Sequence, residues 1–288
     1  MAVKHLYFAY GSNMDKTDWV RWCSENGMTP KGLAGSGRAW LPDYTLKFHY
    51  YSSKRKGGAA NVVPSVRGTV VPGLVFEVDE ETLAILDLKE GSPMAYERTS
   101  VSVIDDNGML REAVTYTVVE SRISDGYEKP TPDYVDLIRR SLESNNLPIE
   151  HLKNAIDNKS SNTFLKTVFV YGTLRKGEQR SQFMKEISTN SQVGTVYGTL
   201  FDHGSYPGLS PKGHTEVTGE LCQCRDISGA LKVLDEIEGF YSYGNHDNLY
   251  YRSIKNVLVK DEKQWAWTFI TNISSKRTII PSGDWKRR

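Results

Sequence analysis

Cysteine, net charge and long apolar runs are all scarce in this sequence. Three cysteines, Cys23, Cys222 and Cys224, stand in 288 residues, too few for a disulfide framework. Cys222-Gln223-Cys224 lies in a strand-like run and is expected to point its two thiols to opposite faces, a poor arrangement for a metal pair. No Cys or His cluster lies near it in sequence. No apolar stretch reaches the length of a signal-peptide core or a membrane span. The expectation is a soluble, cytoplasmic protein with no membrane partner. Lys and Arg number 36 against 35 Asp and Glu, a formal charge of +1, which argues against a nucleic-acid partner held by net charge. Basic residues cluster only in Lys276-Arg277 and Lys286-Arg287-Arg288, read as a solvated tail over 276–288.

What is present is repetition. Leu83-Ala84-Ile85-Leu86-Asp87-Leu88-Lys89-Glu90-Gly91 returns as Leu231-Lys232-Val233-Leu234-Asp235-Glu236-Ile237-Glu238-Gly239, both reading L-x-x-L-D-x-x-E-G. Leucines three apart and a glutamate four further on share one stripe of a helix. That stripe faces the core, so each glutamate is carried toward apolar surroundings where the helix ends, and the glycine suits the left-handed stop. A carboxyl so placed should gain proton affinity and serve proton transfer. A single glutamate there can also cap or pair locally; two copies point to chemistry.

The features around these helices repeat in order. A strand over His5–Tyr10 opens into Gly11-Ser12-Asn13-Met14, and Val168–Tyr171 opens into Gly172-Thr173-Leu174-Arg175. Such a turn can present successive backbone N–H groups to an anion. Val71-Pro72-Gly73-Leu74-Val75-Phe76 is echoed by Val217-Thr218-Gly219-Glu220-Leu221-Cys222, and Tyr96-Glu97-Arg98 by Tyr250-Tyr251-Arg252. Gly73 is expected where the backbone approaches something closely. Tyr206-Pro207-Gly208-Leu209 reads as a turn, and Pro132 opens a helix found only in the first half. Asp157–Asn162 contains no apolar residue and reads as a linker. The chain is therefore a tandem duplication: a first domain over 1–156, a linker over 157–164, and a second domain over 165–275, whose copy ends near Ile273.

These residues resemble the γ-glutamylcyclotransferase-like family, through Y-G-S-N or Y-G-T-L after the first strand and the glutamate of Glu-Gly at a helix end. The first half is similar to the γ-glutamylcyclotransferase branch, through Gly57-Gly58, Tyr116, Pro132-x-Tyr134 and Leu147-Pro148-x-Glu150. The second half is similar to the γ-glutamylamine cyclotransferase (AIG2-like) branch, through Tyr171-Gly172-Thr173-Leu174-Arg175 and Tyr206-Pro207. The resemblance implies two α+β domains, each a small mixed β-barrel flanked by helices.

It also implies a reaction. The α-amine of a γ-glutamyl compound attacks its own γ-carbonyl, closing 5-oxoproline and expelling the attached amine. The nucleophile belongs to the substrate, so neither metal nor cofactor is expected, and the only partner expected is a small γ-glutamyl molecule. Amides around Tyr10, Gly11, Ser12 and Asn13, and around Tyr171, Gly172, Thr173 and Leu174, would hold the substrate. Glu90 and Glu238 would move the proton. Tyr116 either orients glutamate or substrate or is an ordinary strand tyrosine; the second half offers Trp267 or Phe269 there. Tyr96 with Arg98, and Tyr250 with Arg252, are read as packing and surface charge. The alternatives are removal of a γ-glutamyl group from a biosynthetic intermediate, and a ligand-binding module with one silent domain.

Overall fold

The computed structural model describes residues 4–30, 33, 35, 37–272 and 278–288. The expected end of the second copy near Ile273, and Lys276-Arg277, lie outside the described residues. The chain divides into two compact units: one holds the residues up to Asp105 and Arg111–Phe164, the other Asp106–Leu110 and the residues from Leu165 on. The fold is α+β.

In the first unit the order is β1 (His5–Ala9), α1 (Lys16–Glu25), β2 (Gly37–Pro42), β3 (Tyr44–Ser52), β4 (Gly57–Pro64), β5 (Val70–Val78), α2 (Glu80–Glu90), β6 (Tyr96–Asp105), β7 (Leu110–Val118), α3 (Pro132–Ser144) and α4 (Glu150–Ile156). Five strands close a barrel in the order β1-β5-β2-β6-β7, and β3 with β4 forms a separate two-stranded sheet. β2 escaped the sequence reading, yet its Trp40 and Leu41 are fully buried. β7 closes the ring against β1 in parallel, with Tyr7 opposite Val114.

The second unit contains β8 (Thr167–Val170), α5 (Ser181–Ile187), β9 (Ser188–Asp202), β10 (Pro207–Cys224), α6 (Ile227–Glu238), β11 (Tyr250–Val259), β12 (Glu262–Thr271) and β13 (Thr278–Ile279). Its strands form a six-stranded sheet, β10-β8-β12-β11-β9-β13, with β9 also paired to β10. The expectation for this unit is a small mixed β-barrel, and its sheet has β9 paired with both β10 and β11. β9 is long enough for one edge to serve both β11, at Thr195, and β13, at Phe201 and Asp202. Pro207–Leu209, expected as a turn, instead start β10, pairing with Leu200–Asp202.

Two contacts repeat between the units and show the duplication in three dimensions. A Cβ on Gly73 would strike the Ala9 carbonyl and the Phe8 ring; one on Gly219 would strike the Val170 carbonyl and the Phe169 ring. Thr115 donates its hydroxyl to the Phe8 carbonyl at 2.8 Å, and Thr268 donates to that of Phe169 at 3.0 Å.

One further expectation is corrected and another holds in part. Cys222 and Cys224 share one face, both buried, with Gln223 exposed between them, because residues two apart in a strand point the same way. Burial pushes their thiols up to about 12 and 11, which leaves them protonated and inert. The described basic residues Lys286, Arg287 and Arg288 are exposed, as expected of a solvated tail, but the stretch that leads to them is anchored. β13 pairs with β9, Trp285 is 1 % exposed, and Asp284 accepts from the buried Arg175 at 2.6 Å. The stretch 157–164, by contrast, buries none of its residues, and the Ser160 carbonyl accepts from the Thr45 hydroxyl. Among the described residues no helix is long and apolar enough to cross a membrane, and no group of three or more His, Cys, Asp or Glu is placed to hold a metal.

Candidate active site

The two repeat helices are built alike. Asp79 caps α2 through the Thr82 amide at 2.8 Å, and Asp226 caps α6 through that of Gly229 at 3.1 Å, satisfying N-terminal donors that the helix leaves open. Leu83 and Leu86, like Leu231 and Leu234, are buried and anchor each helix to its core. Gly91 (φ 68°) and Gly239 (φ 61°) take the left-handed conformation and end them. The last helical residue is in each case the glutamate, delivered partly buried into a pocket.

In the first pocket, of about 30 Å³, Glu90 meets Tyr10, Gly11, Ser12 and Asn13. A single 3₁₀ turn, Ser12–Met14, follows β1. Asn13 donates its side-chain amide to Glu90 Oε1 and to the Tyr7 hydroxyl, both at 2.7 Å. Burial raises the proton affinity of Glu90, while Lys89, the Asn13 hydrogen bond, Arg55 and Lys54 pull it back. Tyrosines complete the walls. Tyr10 donates to the Tyr116 carbonyl at 2.6 Å, Tyr96 donates to the Ala60 carbonyl at 2.8 Å, and the Tyr134 hydroxyl accepts from the Ala60 amide at 3.3 Å. Burial holds Tyr7, Tyr10 and Tyr96 well above the usual phenol range and moves Tyr134 up to about 12. All therefore remain neutral at physiological pH. Outside lies a larger cleft of about 480 Å³ that shares Ser12, Glu90, Tyr96 and Tyr134 with the inner pocket.

In the second pocket, of about 100 Å³, Glu238 meets Tyr171, Gly172, Thr173 and Leu174, with Tyr206, Pro207, Leu249, Tyr250 and Phe269 around them. Tyr171 donates to the Phe269 carbonyl at 2.7 Å, as Tyr10 does to that of Tyr116. Tyr250 donates to the Pro207 carbonyl at 2.6 Å. No described residue hydrogen-bonds the Glu238 carboxyl, and burial raises it to about 7, opposed only by Arg180. Such a carboxyl is part ionised at neutral pH, as an acid–base catalyst requires.

Each residue expected from sequence to be catalytic or to hold the substrate lines one pocket or the other. Tyr116, though a wall residue, gives its hydroxyl to Asp87 at 2.7 Å rather than to Glu90. Asp87 is also held by Arg98 at 2.7 Å, and in the second unit Asp235 is held by Arg252 at 3.0 Å, so the two arginines brace the glutamate helix. The second-unit counterpart of Tyr116 is Phe269. Tyr96 and Tyr250, read as packing, are wall residues as well. The sequence reading missed Tyr7, the site roles of Tyr134 and Arg180, and the side chain of Asn13. The difference between Y-G-S-N and Y-G-T-L was the one available signal for Asn13.

The chain is similar to known proteins. The model of the family described as gamma-glutamyl cyclotransferase, AIG2-like, matches residues 7–136 and again 168–287. The gamma-L-glutamyl-butirosin B gamma-glutamyl cyclotransferase of Niallia circulans is 34 % identical over 110 residues, which cover 38 % of this chain and 69 % of that protein. A solved gamma-glutamyl cyclotransferase is 25 % identical with a TM-score of 0.45, over 56 % of this chain and 91 % of its own. An AIG2-like protein from Mus musculus is 23 % identical with a TM-score of 0.32, over 38 % of this chain and 80 % of its own.

Proposed function

The chain belongs to the gamma-glutamyl cyclotransferase, AIG2-like family, as two tandem domains, and from that premise we propose that each domain converts a γ-glutamyl compound to 5-oxoproline and a free amine. The division between the domains is proposed at the polar stretch 157–164, and the working location is the cytoplasm. The substrate's α-ammonium loses a proton, its nitrogen attacks the γ-carbonyl, and the now cationic nitrogen gives up a second proton to become the lactam N–H. The C–N bond to the leaving amine then breaks, and that nitrogen takes up a proton. One carboxyl can perform these transfers, so Glu90 and Glu238 act as general base and then general acid, a contribution of about a hundred- to ten-thousand-fold.

The observation that carries this reading is a partly buried carboxyl with raised proton affinity beside a turn of open amides, present twice. The amides of Ser12 and Asn13, and of Thr173 and Leu174, lead their turns and donate to no described group. They are suited to the substrate's α-carboxylate or to the carbonyl oxygen as it gains charge. Holding the glutamyl unit folded makes the attack effectively intramolecular in geometry as well as in connectivity. The first domain's likeness to the γ-glutamylcyclotransferase branch and the second's to the AIG2-like branch suggest separate substrates.

A second reading takes support from the Niallia circulans relative, whose substrate is a γ-glutamyl-butirosin. The same chemistry would remove a γ-glutamyl group from a large biosynthetic intermediate, and the cleft of about 480 Å³ beside Glu90 offers space for one. The test is incubation of the full chain with γ-glutamyl amino acids, glutathione and γ-glutamyl amines, with 5-oxoproline followed by mass spectrometry. N-acetylated substrates should be inert; their hydrolysis would identify an ordinary amidase instead.

A further inference from the structure

The outer cleft of the first unit holds cations that take no direct part in the proposed proton transfers. Arg21, Lys54, Arg55 and Lys89 all line it. Asp18, 4 % exposed, accounts for two of them: Lys89 Nζ lies at 3.0 Å and Arg21 at 2.5 Å from its carboxylate. Lys89 is further enclosed against the rings of Trp19 and Trp22. Arg55 is held loosely by comparison, one nitrogen 3.4 Å from Asp18 and its guanidinium 4.8 Å over the Tyr134 ring. That ring is a wall of the inner pocket. Most of the Arg55 fork is thus open toward the cleft. Lys54, its exposed neighbour, has no described acidic partner. Of the other carboxyls in the same walls, Glu90 is the proposed base and Glu25 is exposed at the end of α1.

The inner pocket, at about 30 Å³, has little room beyond the reacting end of a substrate. The departing amine must extend into the outer cleft, which shares Glu90, and so passes Tyr134 and comes under Arg55. An open guanidinium fork there matches a planar or tetrahedral anion. We propose that Arg55, assisted by Lys54, is a specificity-determining residue of the first site, selecting γ-glutamyl compounds whose departing amine carries an anionic group. The inference rests on the cyclotransferase reading and adds a recognition element to it.

The test uses the full chain carrying Glu238→Gln, with rates corrected for the Glu90→Gln/Glu238→Gln double variant. Three substrates are compared: γ-glutamylalanine, γ-glutamylethylamide, which lacks only the carboxylate, and γ-glutamyl-phosphoethanolamine. The expected result is a kcat/KM at least about tenfold higher for the anionic compounds than for the ethylamide. Arg55→Met should shrink that ratio by about tenfold, Arg55→Lys should restore part of it, and Lys54→Gln, at an exposed position, should shrink it by about threefold. The stronger of the two anionic arms identifies carboxylate or phosphate as the group recognised. Equal rates on all three substrates would overturn the inference and leave the cyclotransferase reading standing. So would an Arg55→Met variant that slows all three alike, since Arg55 would then only support Tyr134 or the ionised form of Glu90. Absence of 5-oxoproline from every substrate would overturn both.

Discussion

In the first unit Asn13 and Tyr7 stand where the second has Leu174 and Val168, and that exchange changes the environment of an otherwise equivalent glutamate. The equivalence follows from the register: Tyr7 lies opposite Val114 and Val168 opposite Trp267, each two residues before the strand carbonyl that accepts from Tyr10 or Tyr171. Glu90 has a hydrogen-bond donor and three cations nearby, whereas Glu238 has Arg180 alone. A donor to a carboxylate and a nearby cation both favour the ionised form, and burial opposes it. One scaffold therefore supports two proton affinities, set by side chains that leave the helix and the glycine stop unchanged.

The comparison breaks most sharply at the glutamates themselves. Glu90→Gln and Glu238→Gln should each remove about a hundredfold or more of one domain's activity and spare the other's. Domain-selective substrates and 5-oxoproline release provide the measurement; full activity in the double variant would end both assignments. Next in size is Asn13→Leu, which gives the first pocket the second's residue. It should slow the first site about tenfold at pH 6, with much of the rate recovered at higher pH. The loss of a donor to the carboxylate raises the proton affinity of Glu90, so the base ionises later. A pH–rate series separates this from a loss that does not vary with pH.

The wild-type pH profiles sharpen the comparison without mutation. With Glu90→Gln in place, the remaining rate should be half-maximal near pH 7, following Glu238. With Glu238→Gln, the acid limb should lie lower, because Asn13, Lys89, Arg55 and Lys54 all favour ionised Glu90. Arg180→Gln should move the Glu238 limb further upward. The smallest effect is on stability. The folded state holds the Glu238 proton to about pH 7, against an ordinary value of 4.5, so between these values the native state binds more protons and stability falls as pH rises. The cost is complete above pH 7 and absent below about 4.5. Glu238→Gln should therefore raise the melting temperature at pH 8, by the equivalent of at most about 3 kcal/mol, and give no such gain at pH 4.5. Scanning calorimetry at the two pH values checks it.

The parts of the site legible in the sequence were those written in local pattern. Helical spacing of leucines and the following glycine located both glutamates, and a glycine after an apolar strand located both amide turns. Gly73 signalled the close approach of β5 to β1, and its echo Gly219 stands at the matching approach of β10 to β8. The parts not legible depend on segments far apart in the chain. Tyr134 reaches the first pocket from α3, and Tyr7 contributes through a hydroxyl that one residue of strand alternation would have turned elsewhere. Cys222 and Cys224 are a different case, since strand periodicity already dictates one shared face.

The amino-acid sequence by itself determined the duplication, the two capped glutamate helices and the residue types of both turns, because periodicity, capping and left-handed glycine act within a few residues. Only the tertiary structure decided which carboxyl received a hydrogen bond, that β13 joined the second unit's sheet beside β9, and that Asp284 returned to pair with buried Arg175. Those outcomes come from the burial of charge and apolar surface against distant partners. The energy of such a contact depends on what the rest of the chain places beside it, and no local pattern carries that information.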